Sequence, residues 1–332
     1  MADTKGVLIV AETIEGKLSP ISTELLGIGR KLADTLGQEL AAVLIGSGIA
    51  GLANELASFG ADKVYVIDND MFANYTTDGY VGALEKLNTE TSPDIILMGH
   101  TSMGMDLSPR LAFRLGTATT LDCINLEIDP DSRLMQKTKP VYGGNAQAIY
   151  VSETKPQMAT IRAKAFEPLA QDASRSGEVV NFDPGLDAAI IRQKVVDRVK
   201  EEVEGIKLED ADVVICGGRG MGSAEAFNEL FDLAKVLGGA VGASRPPCDS
   251  GWVPTNIQIG LTGKIVGPNV YVAVALSGSS QHQAGMSGSK NIIAINKDPE
   301  ANIFGISHYG VVGDYKKVLP AFAEKCKELL GK

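Results

Sequence analysis

The chain has 332 residues, of which 44% are hydrophobic and 22% charged, a balance typical of a globular protein large enough for two domains. Its net charge of −10 would repel a phosphate backbone, which excludes nucleic-acid binding as the main role. Its apolar runs are far shorter than the roughly 20 residues that span a bilayer, and no signal-peptide pattern opens the chain. We therefore expect a cytoplasmic protein without membrane insertion.

Cysteines and histidines are few and scattered, so no local metal-binding spacing is present and no metal site is expected. His100 and His308 are expected to have structural roles. Each cysteine is expected to be a small buried thiol in a reducing compartment; the cysteines are Cys123, Cys216, Cys248 and Cys326. Any chemistry is therefore expected to come from an organic cofactor.

The first half of the chain alternates short apolar runs with helical patterns. Val7–Ala11 is an apolar run typical of a buried parallel strand. Ser19-Pro20 supplies an N-cap and a first-turn proline for the next helix, which Gly37 can end. Further predicted elements are strands 41–45, 63–67 and 94–98, a helix to Phe59 that Gly60 closes, a helix from about Thr77, and a helix from Ser108-Pro109 to Gly116. Repeated strand–helix units predict a parallel sheet covered on both faces.

The pattern changes after the first series of units. Residues 123–163 contain strand-like segments around a Gly143-Gly144 turn, which predicts hairpins at the end of the first domain. Residues 168–185 have the composition of a connecting segment, and residues 190–203 fit either a helix or an irregular strand. A second α/β series is predicted, with strands 212–216, 270–276 and 291–296 and helices 224–237 and 315–330. We expect two domains, 1–205 and 206–332, with a boundary uncertain by about ten residues.

Two glycine-rich segments invite comparison with phosphate-binding loops. Gly217-Gly-Arg-Gly-Met-Gly222 joins a buried strand to a helix, where backbone amides and the helix N-terminus suit a phosphate. The Gly-x-Gly-x-x-Gly spacing is absent, however, and such turns also serve packing alone. Gly260-Leu-Thr-Gly-Lys264 is not a P-loop, because Ile265 stands where serine or threonine is required. ATP hydrolysis is therefore not expected there.

Polar residues follow several strands of the second series. Ser277-Gly-Ser-Ser-Gln-His282 follows its most apolar strand and would lie at the carboxyl edge of an open sheet, the usual ligand crevice. Asn296, Asp298 and Asp314 also follow apolar runs, and acidic side chains at such positions often accept ribose hydroxyls. The residues by themselves predict a dinucleotide or adenine-nucleotide site within residues 217–315.

Six linked segments together resemble the FAD-binding signature of electron-transfer flavoprotein alpha subunits, the FixB-like family of large subunits. They are Gly217-Gly-Arg-Gly-Met, Val241-Gly-Ala-Ser-Arg245, Gln258–Val266, Ser277-Gly-x-x-Gln-His282, Ala294–Asp298 and Tyr309–Asp314. The resemblance covers essentially the full length. It implies a nucleotide-hydrolase-like N-terminal α/β domain with a parallel sheet and a doubly wound C-terminal domain that binds FAD.

The resemblance also implies which residues bind FAD. They are Arg219, Ser244, Arg245, Gly260, Leu261, Thr262, Gly263, Ser277, Gly278, Ser279, Ser280, Gln281, His282, Asn296, Asp314 and Tyr315. In the family, the threonine at 262 donates toward flavin N5, the histidine at 282 lies near the C2 carbonyl, and the arginine at 245 lies beside the ring system. Reduction places negative charge around N1 and O2, so His282 and Arg245 are expected to raise the reduction potential. Leu261 departs from the family, whose members commonly carry glutamine there.

The resemblance implies an electron carrier rather than a stand-alone enzyme. It would exchange single electrons with acyl-CoA dehydrogenases or similar flavoenzymes, as a heterodimer with a smaller beta subunit. Two alternatives stay open. One is an NADH-dependent complex that bifurcates electrons and holds a second FAD, rather than AMP, in the beta subunit. The other is a nucleotide-binding scaffold without redox function, because such folds host many functions.

Overall fold

The structure, a computed structural model, describes residues 4–144, 146–197 and 206–331. The chain forms two compact units, one of Met1–Pro140 with Gln147–Val199 and the other of Val141–Ala146 with Lys200–Lys332. The expected boundary at residue 205 falls within residues 198–205, outside the described residues. The division into 1–205 and 206–332 therefore stays a prediction.

A seven-stranded parallel sheet dominates the first unit. The strands up to residue 197 are β1 (Val7–Ala11), β2 (Thr13–Ile14), β3 (Lys17–Leu18), β4 (Leu40–Gly46), β5 (Lys63–Asp68), β6 (Ile95–Gly99), β7 (Thr119–Cys123), β8 (Asn125–Ile128), β9 (Met135–Val141), β10 (Ala146–Tyr150), β11 (Gln157–Ile161) and β12 (Glu178–Asn181). The helices are α1 (Pro20–Leu36), α2 (Ala53–Ser58), α3 (Thr77–Thr91) and α4 (Ser102–Arg114). The sheet has the order β12-β5-β4-β1-β6-β11-β7.

Both faces of this sheet carry apolar clusters, as a parallel sheet requires. Val7 and Ile9 of β1 belong to a buried cluster that includes α1, whereas Leu8 and Val10 belong to a second cluster with residues of α3 and α4. The alternation follows from the period of two residues in a strand. The prediction of a parallel sheet covered on both faces is confirmed.

Helix α4 begins six residues earlier than the sequence predicted, at Ser102 instead of Ser108. Its cap is Thr101, whose Oγ1 accepts a hydrogen bond from the backbone N–H of Gly104 at 3.1 Å. Pro109 therefore lies inside the helix. Pro109 and Met105, four residues earlier, are both exposed, so water can solvate the carbonyl group that the proline leaves without a donor.

The hairpin prediction for residues 123–163 was only partly right. Strands β8 and β9 are antiparallel, and β9 lies between β8 and β10. However, β11 returns to the main sheet and pairs in parallel with both β6 and β7. The segment 168–185 is also more than a connection, because β12 within it pairs in parallel with β5. β12 was missed because three of its four residues are exposed and leave no buried apolar run.

Residues 190–203 were predicted to form either a helix or an irregular strand. A 3-10 turn at Ala188–Ile190 precedes an irregular stretch up to residue 197, and the remaining residues lie outside the described ranges.

The second unit contains a smaller parallel sheet. Its strands are β13 (Val213–Gly217), β14 (Ala240–Ala243), β15 (Val270–Val274), β16 (Asn291–Asn296) and β17 (Tyr309–Val312), and its helices are α5 (Phe227–Leu237), α6 (Arg245–Asp249), α7 (Ser280–Ala284) and α8 (Tyr315–Leu330). The order β14-β13-β15-β16-β17 is that of a doubly wound sheet whose topological switch point lies between β13 and β15. The expected α/β class with parallel sheets is therefore confirmed. β14 and β17 were missed because each has only four residues, one of them glycine.

Candidate functional site

A cavity of about 630 Å³ lies at the carboxyl ends of the second sheet. The segments that follow β13, β14, β15 and β16 all contribute lining residues, as do the loop 258–262 and α7. Its volume is within the range of roughly 300–1,000 Å³ found for small-molecule sites. The cavity thus occupies the position at which open α/β sheets bind ligands, beside the switch point.

Most of the expected FAD-binding residues line this cavity. They are Arg219, Ser244, Arg245, Gly260, Leu261, Thr262, Ser277, Gly278, Ser279, Gln281, His282 and Asn296. They come from five separate parts of the chain. The structure therefore brings together residues that the sequence could connect only through the family resemblance.

Four expected residues lie outside the cavity lining: Gly263, Ser280, Asp314 and Tyr315. Asp314 caps α8 by accepting a hydrogen bond from the backbone N–H of Lys316 at 3.0 Å. Tyr315 is buried, and its hydroxyl donates to the backbone carbonyl of Met221 at 2.8 Å. These two contacts are structural, and a role of Asp314 or Tyr315 in binding FAD stays a prediction.

Residues 217–222 pack closely against the end of β15. The backbone N–H groups of Gly218 and Gly220 donate to the carbonyl oxygens of Val274 and Ala275, at 2.9 and 3.0 Å. A Cβ atom on Gly218 would lie 2.4 Å from the Ala275 oxygen. These two glycines therefore allow close packing across the switch point, and Gly220 also lines the cavity. Arg219, between them, lines the cavity.

Ala275 ends β15 earlier than predicted. Its φ angle is 52°, in the left-handed region that costs a non-glycine residue roughly 1–2 kcal/mol. The strand stops at Val274, and the next residues, Leu276 to Ser279, turn into the cavity lining. Strained backbone of this kind is enriched at ligand sites.

The loop 258–264 holds Thr262 at the cavity. The side-chain amide of Gln258 donates from Nε2 to Thr262 Oγ1 at 3.0 Å. Because Oγ1 accepts this bond, the hydroxyl proton of Thr262 is free to be donated to a ligand. The backbone N–H of Leu261 donates to the carbonyl of Gln281 at 2.8 Å, which ties the loop to α7. The side chain of Leu261 is 66% exposed.

His282 lines the cavity but directs both ring nitrogens into the protein. It is 4% exposed, with Nδ1 3.1 Å from the carbonyl oxygen of Ile259 and Nε2 2.9 Å from the hydroxyl of Tyr271. A carbonyl only accepts, so Nδ1 carries the proton and Nε2 accepts from Tyr271. Burial lowers the pKa of His282 from 6.5 to about 4. The imidazole is therefore neutral at neutral pH, and the expectation that His282 raises the reduction potential of a bound flavin stays a prediction.

Charged side chains of both signs line the cavity. Arg245 forms an ion pair with Asp249, with Nε and Oδ2 3.1 Å apart, but both groups are largely exposed, so the pair is weak. Arg219 has no ion pair within residues 206–331. Gln258 and Asp298, which belong to two of the six linked segments, also line the cavity, as does Asp249, which the sequence analysis did not select. Asp249 follows Arg245 by four residues, a spacing that predicts an ion pair on one face of a helix, so Asp249 could have been found from the sequence.

The lining has donors and charges to hold an anionic ligand, but the cysteines do not offer a reactive thiolate there. Cys216 is fully buried, and burial raises its pKa to about 12. Cys123 and Cys248 are buried as expected, whereas Cys326 is only half-buried. In the described parts of the chain, no group of three potential ligand side chains could hold a metal ion.

No helix within the described ranges is long and apolar enough to cross a membrane.

Comparisons with known proteins identify the family. Residues 7–186 match the electron transfer flavoprotein domain, and residues 207–287 match the electron transfer flavoprotein FAD-binding domain. The chain is 46% identical to an electron transfer flavoprotein subunit alpha of Thermoanaerobacterium thermosaccharolyticum, over 99% of this chain and 100% of the relative. It is 46% identical to the same subunit of Megasphaera elsdenii, over 100% and 99% of the two chains. Protein FixB of Clostridium saccharobutylicum is 43% identical, over 99% of this chain and 98% of that protein. The chain therefore belongs to the family of electron transfer flavoprotein alpha subunits, whose C-terminal domain binds FAD.

Proposed function

We propose that this chain holds FAD in the cavity of its second unit and carries single electrons as the large subunit of a heterodimer with a smaller beta subunit. Its electron donors or acceptors would be flavoprotein dehydrogenases, acyl-CoA dehydrogenases among them, in the cytoplasm. The observation that carries the proposal is the cavity itself. At a topological switch point it combines two arginines with hydroxyl and amide groups from five parts of the chain.

The residues present fit the chemical groups of FAD. Its diphosphate is anionic, and Arg219 and Arg245 supply positive charge in a chain whose net charge is −10. Ser244, Ser277 and Ser279 supply hydroxyl groups, and the hydroxyl proton of Thr262 is available because Gln258 donates to its oxygen. When bound, the flavin supplies the one-electron chemistry.

The first test is a count of cofactors on the chain co-purified with its beta subunit. We expect FAD in this chain's cavity, seen as flavin absorbance and measured by extraction. One flavin with AMP and no response to NADH would support simple electron transfer. Two flavins with rapid bleaching by NADH would favour the bifurcating complex. A colourless, folded complex that cannot be reconstituted with FAD would refute the proposal.

Substitution of Thr262 tests the assigned orientation of its hydroxyl. Thr262→Ala should lower the midpoint potential of the bound flavin, because it removes a proton donor that stabilises added negative charge. Spectroelectrochemistry on the complex measures the shift. The matched control is Thr255→Ala, since Thr255 is exposed in the same unit and lies outside the cavity lining. Equal potentials in the two variants would contradict the role of Thr262.

A further inference from the structure

We propose that Tyr271 is a positioning residue of the flavin site, which donates its hydroxyl proton to Nε2 of His282 and so fixes an uncharged imidazole at the cavity wall. This inference rests on the proposed function of the cavity. Nothing in the resemblance or the comparisons assigns a role to Tyr271, which lies in β15 behind the lining residues.

The contact between Tyr271 and His282 is fully enclosed. The side chain of Tyr271 is completely buried, and its hydroxyl lies 2.9 Å from Nε2. The ring centroids are 6.3 Å apart at an interplanar angle of 57°, so the two rings do not stack. The sulfur of Cys216 lies 3.9 Å from the same nitrogen, which makes it a much weaker partner. The hydroxyl group is therefore the principal link between β15 and the imidazole.

The direction of this hydrogen bond follows from the other side of the ring. The carbonyl of Ile259 accepts from Nδ1, so Nε2 of a neutral ring has only a lone pair to offer. Burial raises the pKa of Tyr271 well above 10, so its hydroxyl keeps its proton and donates it. A protonated imidazole would carry a proton on Nε2 as well and would lose this donor. The tyrosine therefore stabilises the neutral form and opposes the charged one.

The net charge of the cavity wall around a bound flavin depends on whether His282 is neutral or protonated. The ionisable groups next to the imidazole are Cys216 on β13 and Tyr271 on β15, both buried and both with raised pKa values. The charged side chains of the cavity lining are Arg219, Arg245, Asp249 and Asp298. The two arginines therefore supply the positive charge of the lining. A protonated His282 would add a buried cation and make reduction of the flavin easier.

The test has one measurement on the unaltered protein and one on variants. The complex with the beta subunit is labelled with ¹⁵N-histidine, and the imidazole of His282 is followed by NMR between about pH 5 and 8. We expect a neutral ring with the proton on Nδ1 throughout this range. An imidazolium, or a ring protonated on Nε2 alone, in the unaltered protein would overturn the proposal even if no variant folds.

The variants separate the hydroxyl from general packing. Tyr271→Phe keeps the aromatic ring but leaves Nε2 without its donor, so the pKa of His282 should rise. The midpoint potential of the flavin should then become more positive than that of the unaltered complex as the pH falls. Tyr309→Phe is the control, because it makes the same chemical change at an exposed tyrosine of the same unit outside the cavity lining, and it should follow the unaltered protein.

The failures of the two proposals are distinguishable. A folded, unaltered complex that binds no flavin would refute the proposed function. An unchanged titration of His282 in Tyr271→Phe, with flavin bound in both proteins, would overturn the role of Tyr271 alone. A raised pKa of His282 without any effect on the flavin potential would likewise overturn that role at the flavin.

Discussion

Replacing Glu12 with glutamine should remove part of the pH dependence of stability in the first unit. Glu12 follows β1, and its Oε1 accepts a hydrogen bond from the hydroxyl of Thr101 at 2.8 Å. Burial raises the pKa of Glu12 from 4.5 to about 7, although the bond from Thr101 acts in the opposite direction. A glutamine has nearly the same shape, carries no charge at any pH, and keeps an oxygen that can accept from Thr101.

The sign and the size of the effect follow from linkage between protonation and folding. The pKa is higher in the folded protein than in the unfolded chain. The stability that the protonated carboxyl contributes is therefore fully present below about pH 4.5 and is lost as the pH rises through about 7. The difference between 4.5 and about 7, at about 1.4 kcal/mol per pH unit, corresponds to roughly 3–4 kcal/mol at most. Burial likewise raises the pKa of Glu24 to about 7, but Glu24 is present in both proteins and cancels in their difference.

The assay compares thermal unfolding of the Glu12→Gln and unaltered complexes at about pH 5 and about pH 8. We expect the variant to gain stability relative to the unaltered protein at the higher pH. Glu90→Gln is the control, because Glu90 is exposed on α3 and its loss changes the net charge by the same amount. A difference between Glu12→Gln and the unaltered protein that is the same at both pH values would refute the reasoning.

Two further substitutions test the backbone and packing of the second unit by thermal unfolding. Gly278→Ala should destabilise the unit and weaken FAD binding, because φ is 74° there and a Cβ atom would lie 2.6 Å from a backbone atom. Gly222→Ala, at a φ of 90° in open space, should cost only the backbone strain, so equal losses would contradict the packing argument. Tyr315→Phe should cost about 1–3 kcal/mol, because it leaves the buried carbonyl of Met221 without its donor. Tyr309→Phe, at an exposed tyrosine, should cost much less, and a similar loss in both would speak against this bond.

The elements that the sequence predicted well are those whose evidence is local. Val7–Ala11 is a fully buried run, and α8 begins at Tyr315 behind a capping aspartate, so composition and spacing are sufficient. The start of α4 was wrong because Pro109 resembles a first-turn proline, while the actual cap, Thr101, depends on a contact to Gly104. Thr101 and Gly104 are only three residues apart, so the deciding contact is local as well, and the proline was the wrong choice between two local patterns.

The residues that line the candidate site could be predicted from the sequence, but their charge and hydrogen bonds could not. The family resemblance selected most of the residues that line the cavity, because the linked segments are specific as a set. The charge of His282 could not be predicted, since it depends on Tyr271 in another element and on the carbonyl of Ile259. The packing role of Gly218 depends equally on where β15 ends. Hydrogen-bond direction and burial depend on the folded structure, so they cannot be predicted from the spacing of residues in the sequence.

The insertion of β11 between β6 and β7 has a consequence for biosynthesis. A ribosome-bound chain that ends before Gln157 would have β6 and β7 but not the strand that joins them. Both would then present unpaired N–H and C=O groups, which are templates for association with other chains. At the other edge, β5 receives its outer neighbour β12 only after Asn181 has emerged. We therefore expect N-terminal fragments shorter than about 180 residues to need chaperone protection, and a useful fragment of the first unit has to include β12.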